Sequence, residues 1–217
     1  MDTQAVHVDA SAANSDSVIA GDPTTSLGDG DIMLRLRRAT AMAHARVEAC
    51  VGLDNPDISQ ARYRDVMIAF YRLHLVLEPR LDALFGEFED PLLDWPGRHK
   101  LGSLIQDLHA LGVTPDTLTA LPAAAVPAMD DVAAGFGALY VTEGATLGGQ
   151  LIARYLGARA DLAGAYSYFT PYGDQVGRRW RDLRMVLRRW VGTDEARAEA
   201  VVTAALATFL AFEAALH

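Results

Sequence analysis

The sequence predicts an all-α fold, and three observations support that prediction. Apolar residues recur at spacings of three and four from Ile32 to His217, which is the period of amphipathic helices. No run of alternating β-branched residues interrupts this pattern. The chain has 217 residues, of which 51% are apolar, so it is long enough for one domain with a sizeable core. We therefore expect a single multihelical domain over residues 32–217.

Capping and helix-breaking residues bound the predicted helices. Gly52 ends the first helix, and Ser59 is a suitable N-cap for the second, in which Pro79 favours a kink. Turns rich in proline and glycine separate the second helix from the third, and further prolines at 115, 122 and 127 allow only short pieces before the fourth. The main predicted helices are Leu34–Val51, Gln60–Phe85, Arg98–Leu111, Asp130–Leu156, Gly173–Trp190 and Asp194–Leu216.

The first 31 residues differ in composition from the rest of the chain. They are mostly small and polar, with no lysine or arginine before Arg35, so they can bury little surface and we expect a disordered tail. They lack the features of a secretory signal, and no later stretch approaches eighteen uninterrupted apolar residues. A single cysteine, Cys50, fits a reducing compartment, and the net charge of −9 argues against general nucleic-acid binding. We expect a cytoplasmic protein with no membrane or nucleic-acid partner.

A histidine on the first predicted helix is a candidate metal ligand. His44 shares a helical stripe with Thr40 and Val47, so we expect it to face inward. Glu48, one turn later, can accept a hydrogen bond from one imidazole nitrogen and leave the other for a metal. Arg37 lies roughly 10 Å earlier along the helix axis, which suits a ligand with a central metal and carboxylates at one edge. The alternative is a partly buried structural histidine with a surface glutamate as its partner.

Glycines form a stripe inside the fourth predicted helix. Gly137, Gly144 and Gly148 fall on one face, where the backbone can be approached closely, although each interior glycine costs up to about 1 kcal/mol relative to alanine. Gly149 also allows the helix to bend over a flat ligand. The alternative is close packing against another helix.

The helix after Gly173 is rich in arginine. Six arginines occur from Arg178 to Arg189, and Arg181, Arg184 and Arg188 share a face. The guanidinium fork matches carboxylates, so we expect one or two of them to bind an anionic ligand. The rest form either a solvated basic face or a docking patch for an acidic electron-transfer protein.

Four segments, taken in order, resemble the haem oxygenase family over about Leu34–His217, and most closely the bacterial members that supply biliverdin to bacteriophytochromes. The segments are Leu36-x-x-Ala39-Thr40-x-x-x-His44-x-x-x-Glu48, Phe70–Glu78, Leu139–Gln150, and Tyr172-Gly173-x-x-x-Gly177-x-x-Trp180.

The resemblance implies that haem lies between a proximal and a distal helix. His44 is then the axial iron ligand, and Glu48 is its hydrogen-bond partner. The distal helix, with Gly144, Gly148 and Gly149, covers the other haem face and leaves room for dioxygen. Arg37 is implied near one haem propionate, and Arg178 or Arg181 near the other.

The implied reaction consumes haem, which is both cofactor and substrate, together with dioxygen and seven electrons. Its products are biliverdin, carbon monoxide and ferrous iron, and a ferredoxin or flavoprotein reductase supplies the electrons. Mammalian-type members carry an aspartate where this chain has Ala145, and a tyrosine where it has His74. His74 is then either a replacement that helps to organise water for proton delivery or a core histidine.

Other functions fit the same pattern less well. A haem-binding or storage protein would keep the ligand residues without turnover. A thiaminase-like hydrolase would need Cys50 as a nucleophile, and no supporting base is evident in the sequence. A di-iron carboxylate bundle would need a Glu-x-x-His pair, which the chain lacks.

Overall fold

The structure, a computed structural model, describes residues 30–53, 55, 57–162 and 164–217, and over these residues it contains helices and no strand. The predicted all-α class is confirmed. The predicted tail lies outside the described residues except for its last two positions. The α-helices are α1 Ile32–Val51, α2 Gln60–Phe85, α3 Leu101–Ala110, α4 Pro115–Ala120, α5 Val132–Gly157, α6 Val176–Val191 and α7 Glu195–Ala215, and 3-10 turns occupy Trp95–Arg98, Ser167–Phe169 and Gly173–Gln175.

Side-chain caps define most of the helix starts. Asp31, assigned above to the tail, is the N-cap of α1 and accepts a hydrogen bond from the backbone of Met33 (3.1 Å). Ser59 caps α2 as predicted, accepting from the backbone of Arg62 (3.1 Å). At the other end of α1, Gly52 adopts φ +65°, the left-handed conformation that ends helices at low cost. These residues explain why the predicted bounds of α1 and α2 agree closely with the structure.

The predicted start of the third helix at Arg98 is wrong. Residues Trp95–Arg98 form a 3-10 turn, and α3 begins only at Leu101. The cause is tertiary, because the Glu78 carboxylate of α2 accepts the backbone N–H groups of Lys100 (2.7 Å) and Leu101 (2.9 Å) and caps α3 from outside. The helix predicted from Gly173 likewise starts later, at Val176, after a 3-10 turn.

The last helix, α7, lies at the centre of the packing. It contacts α1 along its length, with Arg35 bound to Glu199 (3.3 Å) near one end and Arg46 to Glu213 (3.0 Å) near the other, so the two helices run in the same direction. It also contacts α5, where Gly137 lies against the backbone at Ala204 and Ala205. By length and composition α7 is the one helix among the described residues that can cross a membrane, but here it packs against α1 and α5.

Candidate functional site

Helices α1 and α5 approach each other at Thr40 and Tyr140. Burial raises the pKa of the Tyr140 hydroxyl, and a hydrogen bond with Thr40 and the charge of Arg37 partly offset that effect. The three side chains are therefore neighbours. Both hydroxyl residues lie one helical turn before a predicted site residue, since His44 follows Thr40 by four positions and Gly144 follows Tyr140 by four.

Both helices run in the same direction along α7 beyond this point. On α1, the His44 ring contacts the ring of Phe209 edge-on at 5.8 Å between centroids. On α5, Gly137 lies at Ala204 of α7, whereas the later Gly149 lies against Phe169, in an aromatic cluster that includes Phe212. His44 and Gly144 therefore lie at a similar height on two helices that both pack against α7, and we call the surface between them the cleft.

His44 is exposed in this cleft. Its side chain is 53% accessible, and its Nδ1 lies 3.2 Å from the Glu48 carboxylate, which leaves Nε2 as the nitrogen that can bind a metal. The expected pairing with Glu48 is thus present. The expected inward orientation is wrong, because Thr40 and Ala43 fill the buried stripe and the His44 ring lies beside it.

The glycines of α5 divide into two kinds. A Cβ atom added at Gly148 would meet no atom within 4 Å, and one at Gly144 would meet only the indole of Trp180 at 4.0 Å. A Cβ at Gly149 would lie 2.0 Å from the carbonyl oxygen of Phe169, and one at Gly137 would collide with α7. The predicted single glycine groove therefore needs correction: Gly144 and Gly148 face open space, whereas packing accounts for Gly137 and Gly149.

Trp180 of α6 forms a side wall of the cleft. Its ring lies against Gly144 and 5.8 Å from the ring of Tyr140. At the far end of α6, Arg188 binds Asp31 at the start of α1 (2.7 Å), so α6 runs antiparallel to α1. The intervening residue Arg181 then lies on the part of α6 that is level with the first turns of α1, where Arg37 also lies.

This part of α6 has a surplus of positive charge. Burial lowers the pKa of Arg184, as do the nearby charges of Arg188 and Arg181. The Arg184 Nε is buried and has no hydrogen-bond partner among the described residues. Arg178 instead lies 3.6 Å from Asp182 of its own helix, which already offers it a carboxylate. Of the two predicted anion-binding arginines, Arg181 is therefore the better placed. Sequence reasoning placed Arg184 on the same face but did not assign it to the site, since its missing partner becomes visible only after folding.

His74 does not lie at the cleft surface. Its side chain is 3% accessible, with Nδ1 3.0 Å from a Glu78 oxygen and Nε2 3.3 Å from the hydroxyl of Tyr168. Burial lowers its pKa, so the ring is neutral at pH 7. Of the two roles left open for His74, its burial favours the core histidine over a direct part in organising water, because both ring nitrogens already have protein partners.

Cys50 lies away from the cleft, at the other end of α1. Its Sγ is 3.5 Å from the ring nitrogen Nε2 of His217, so the sequence-based expectation that it lacks a neighbouring base was wrong. The pair lies two turns beyond His44, and no cluster of three metal-binding side chains occurs among the described residues. The hydrolase alternative gains no support from the cleft.

The residues of the cleft fit a flat ring with a central metal and acidic groups at one edge. His44 offers a metal-binding nitrogen, Gly144 and Gly148 allow close approach from the opposite side, and arginines on α1 and α6 lie beside one end of the cleft. Haem has these chemical properties.

Comparisons with known proteins point to one family. The family model described as Heme oxygenase matches residues 31–217. The chain is 36% identical over 135 residues to a heme oxygenase from Xanthomonas campestris pv. campestris, covering 58% of this chain and 78% of that protein.

Two solved structures share the fold. Heme oxygenase from Leptospira interrogans superposes with a TM-score of 0.67 at 16% identity, covering 86% of this chain and 98% of that one. Heme oxygenase-1 from the cyanobacterium Synechocystis, solved in complex with heme, superposes with a TM-score of 0.63 at 17% identity, covering 86% and 90%.

Proposed function

This chain belongs to the haem oxygenase family, and on that premise we propose that it binds haem through His44 and cleaves it to biliverdin, carbon monoxide and ferrous iron. One observation carries the proposal. On one side of the cleft is an exposed histidine, His44, oriented by Glu48, and on the other side are two glycines, Gly144 and Gly148, beside open space.

Each cleft residue has a part in binding. Haem, when bound, supplies the iron that activates dioxygen and the ring that is cleaved. Glu48 fixes the tautomer of His44 so that Nε2 is the ligating nitrogen. Arg37 and Arg181 hold the propionates, and Arg184 adds to the positive potential there. Gly144 and Gly148 let the backbone of α5 approach the ring and keep space for dioxygen, while Gly149 contributes only backbone.

Proton delivery in this proposal relies on water at the cleft. Ala145 is exposed and cannot exchange a proton, and His74 acts only indirectly, through Glu78 and Tyr168. Water in the cleft takes the place of a carboxylate.

The electron donor we propose is an acidic ferredoxin or a flavoprotein reductase. Arg178 and Arg181 of α6 are exposed near the cleft and offer positive charge to such a donor, although Arg178 already lies 3.6 Å from Asp182. Such donors, and a bacteriophytochrome as biliverdin acceptor, belong in the cytoplasm, which is the compartment that we propose for the protein.

Aerobic turnover tests the proposal. The purified haem complex, mixed with ascorbate or with ferredoxin and its reductase, should lose its haem absorption and yield biliverdin on chromatography. His44→Ala should abolish the ferric spectrum of an imidazole-ligated haem. An unchanged spectrum in that variant would remove His44 as the ligand.

A second candidate function is haem binding without turnover. Two features favour binding without turnover, because both remove a proton donor from the cleft. Position 145 is alanine and not an acid, and His74 is buried. The turnover experiment separates the two, because a haem complex that stays intact under reducing aerobic conditions supports binding alone.

A further inference from the structure

A cluster of buried charges lies directly behind the open glycines of α5. Glu143, whose side chain is 1% accessible, immediately precedes Gly144 and binds both Arg98 and Lys100. Lys100 is equally buried, and its backbone N–H donates to Glu78. We call these four residues, Arg98, Lys100, Glu143 and Glu78, the buried charge cluster.

The polar groups of this cluster are well satisfied. The Lys100 ammonium donates to Glu143, to the carbonyl of Arg98 (3.2 Å) and to the hydroxyl of Tyr172 (3.0 Å), which uses its three protons. Burial acts to raise the pKa of Glu143, but the charges of Lys100 and Arg98 outweigh it and hold that pKa below its ordinary value. Two cations and two carboxylates therefore balance in the interior.

The cluster anchors a chain segment that lies against the back of α5. We call residues 166–173 the backing segment. At one end Tyr172 donates to Glu143 (2.7 Å), and Gln150 of α5 donates to the carbonyl of Gly173 (3.1 Å). In the middle, the carbonyl of Phe169 occupies the space beside Gly149. The Asp107 carboxylate fixes the other end by accepting two backbone N–H groups at 2.8 Å.

The glycine-containing part of α5 needs such support. Each interior glycine lowers helix stability by up to about 1 kcal/mol, and the hydroxyls of Thr142 and Thr146 bond to carbonyls of their own helix, which favours bending. Buried ion pairs add little net stability compared with apolar packing, but they tolerate few alternative geometries. A cluster of this kind is suited to fixing the position of a helix that bends easily.

We propose that Glu143 is a positioning residue for haem cleavage. Through Lys100, Arg98 and Tyr172 it holds the stretch from Gly144 to Gly149 at a fixed distance from His44, so that ring and dioxygen are confined in one geometry. The proposal rests on the proposed function, since it concerns the same cleft.

Two variants test the position of the helix, and one controls for stability. Tyr172→Phe removes a single hydroxyl and keeps every charge, and Glu143→Gln removes the carboxylate charge. Leu118→Ala opens a cavity in α4, whose buried Leu118 belongs to neither the cluster nor the backing segment. For each variant we would measure the melting temperature without haem and the haem dissociation constant. We would also measure the pH at which the ferric haem spectrum is half converted between its acid and alkaline forms (the pH midpoint), and the rate and isomer composition of biliverdin formation.

We expect Tyr172→Phe to melt within about 5 °C of the wild type and to bind haem within about threefold, yet to form biliverdin about tenfold more slowly and with a shifted pH midpoint. Glu143→Gln should change in the same direction and further, and if it fails to fold, Tyr172→Phe decides alone. The proposal is overturned if Tyr172→Phe matches the wild type in both spectrum and rate, or if Leu118→Ala reproduces its changes. Failure of the wild type to bind haem, or unchanged binding by His44→Ala, would instead refute the proposed function.

Discussion

Among single residues, Gly148 gives the most direct indication that a ligand occupies the cleft. A side chain there would meet no protein atom near its Cβ, so packing gives no reason for a glycine. Glycine is disfavoured inside a helix, so helix stability does not explain why position 148 lacks a side chain. A ligand in the cleft supplies that explanation.

We therefore predict that Gly148→Leu keeps or raises the melting temperature and weakens haem binding about tenfold or more, because leucine stabilises a helix but fills the ligand's space. Thermal unfolding and haem titration measure the two effects. Gly102→Leu is the matched control, since Gly102 is also a helical glycine with open space around it but lies on α3. Equal haem affinity in the two variants would show that Gly148 does not face the ligand.

At the scale of elements, α5 combines an open part and a packed part within one helix turn. Gly149→Ala should lower the free energy of unfolding by about 1–3 kcal/mol, because its methyl group would overlap the Phe169 carbonyl and force the backing segment to move. Gly148→Ala, one residue earlier, should be neutral or stabilising. Urea unfolding of the two variants makes the comparison, and similar stabilities would mean that α5 does not pack on the backing segment as described.

Helix α6 offers a second comparison, between neighbouring arginines. Arg181→Ala should weaken haem binding about tenfold through loss of a propionate contact, which corresponds to about 1.4 kcal/mol. Arg178→Ala should change it less than twofold, because the Arg178 side chain is already close to the Asp182 carboxylate. Haem titrations at low and moderate salt measure both. If Arg178→Ala proves the more harmful, the propionate assignment on α6 is reversed.

At the scale of the whole molecule, the buried polar groups make stability depend on pH. The buried His74 has a pKa below the ordinary value of about 6.5, so the unfolded chain binds a proton more readily and the folded state loses stability as pH falls below that value. Glu78 and Glu143 have lowered pKa values, so their stabilisation is complete above the ordinary glutamate range and is lost as pH falls below that range toward the lowered values. The protein without haem should therefore become less stable in mild acid in two stages.

The first stage can be isolated with a variant. His74→Gln should reduce the loss of unfolding free energy between pH 7.5 and pH 5.5 by up to about 1.4 kcal/mol, although it also lowers stability at pH 7.5 by removing the contacts to Glu78 and Tyr168. Urea unfolding at both pH values gives the slope, with the exposed His44→Gln as the control. An unchanged slope in His74→Gln would show that His74 is not the group responsible.

The sequence alone predicts the helical class, the bounds of α1 and α2, and the pairing of His44 with Glu48. These features depend on interactions within one helix, where period, caps and spacing are local properties of the chain. Which glycines face open space depends on tertiary packing, because Gly148 and Gly149 are adjacent in sequence but only Gly149 meets a distant segment of the chain. The exposure of His44, the burial of His74 and the cap of α3 by Glu78 were likewise decided by side chains from distant segments, which no local pattern encodes.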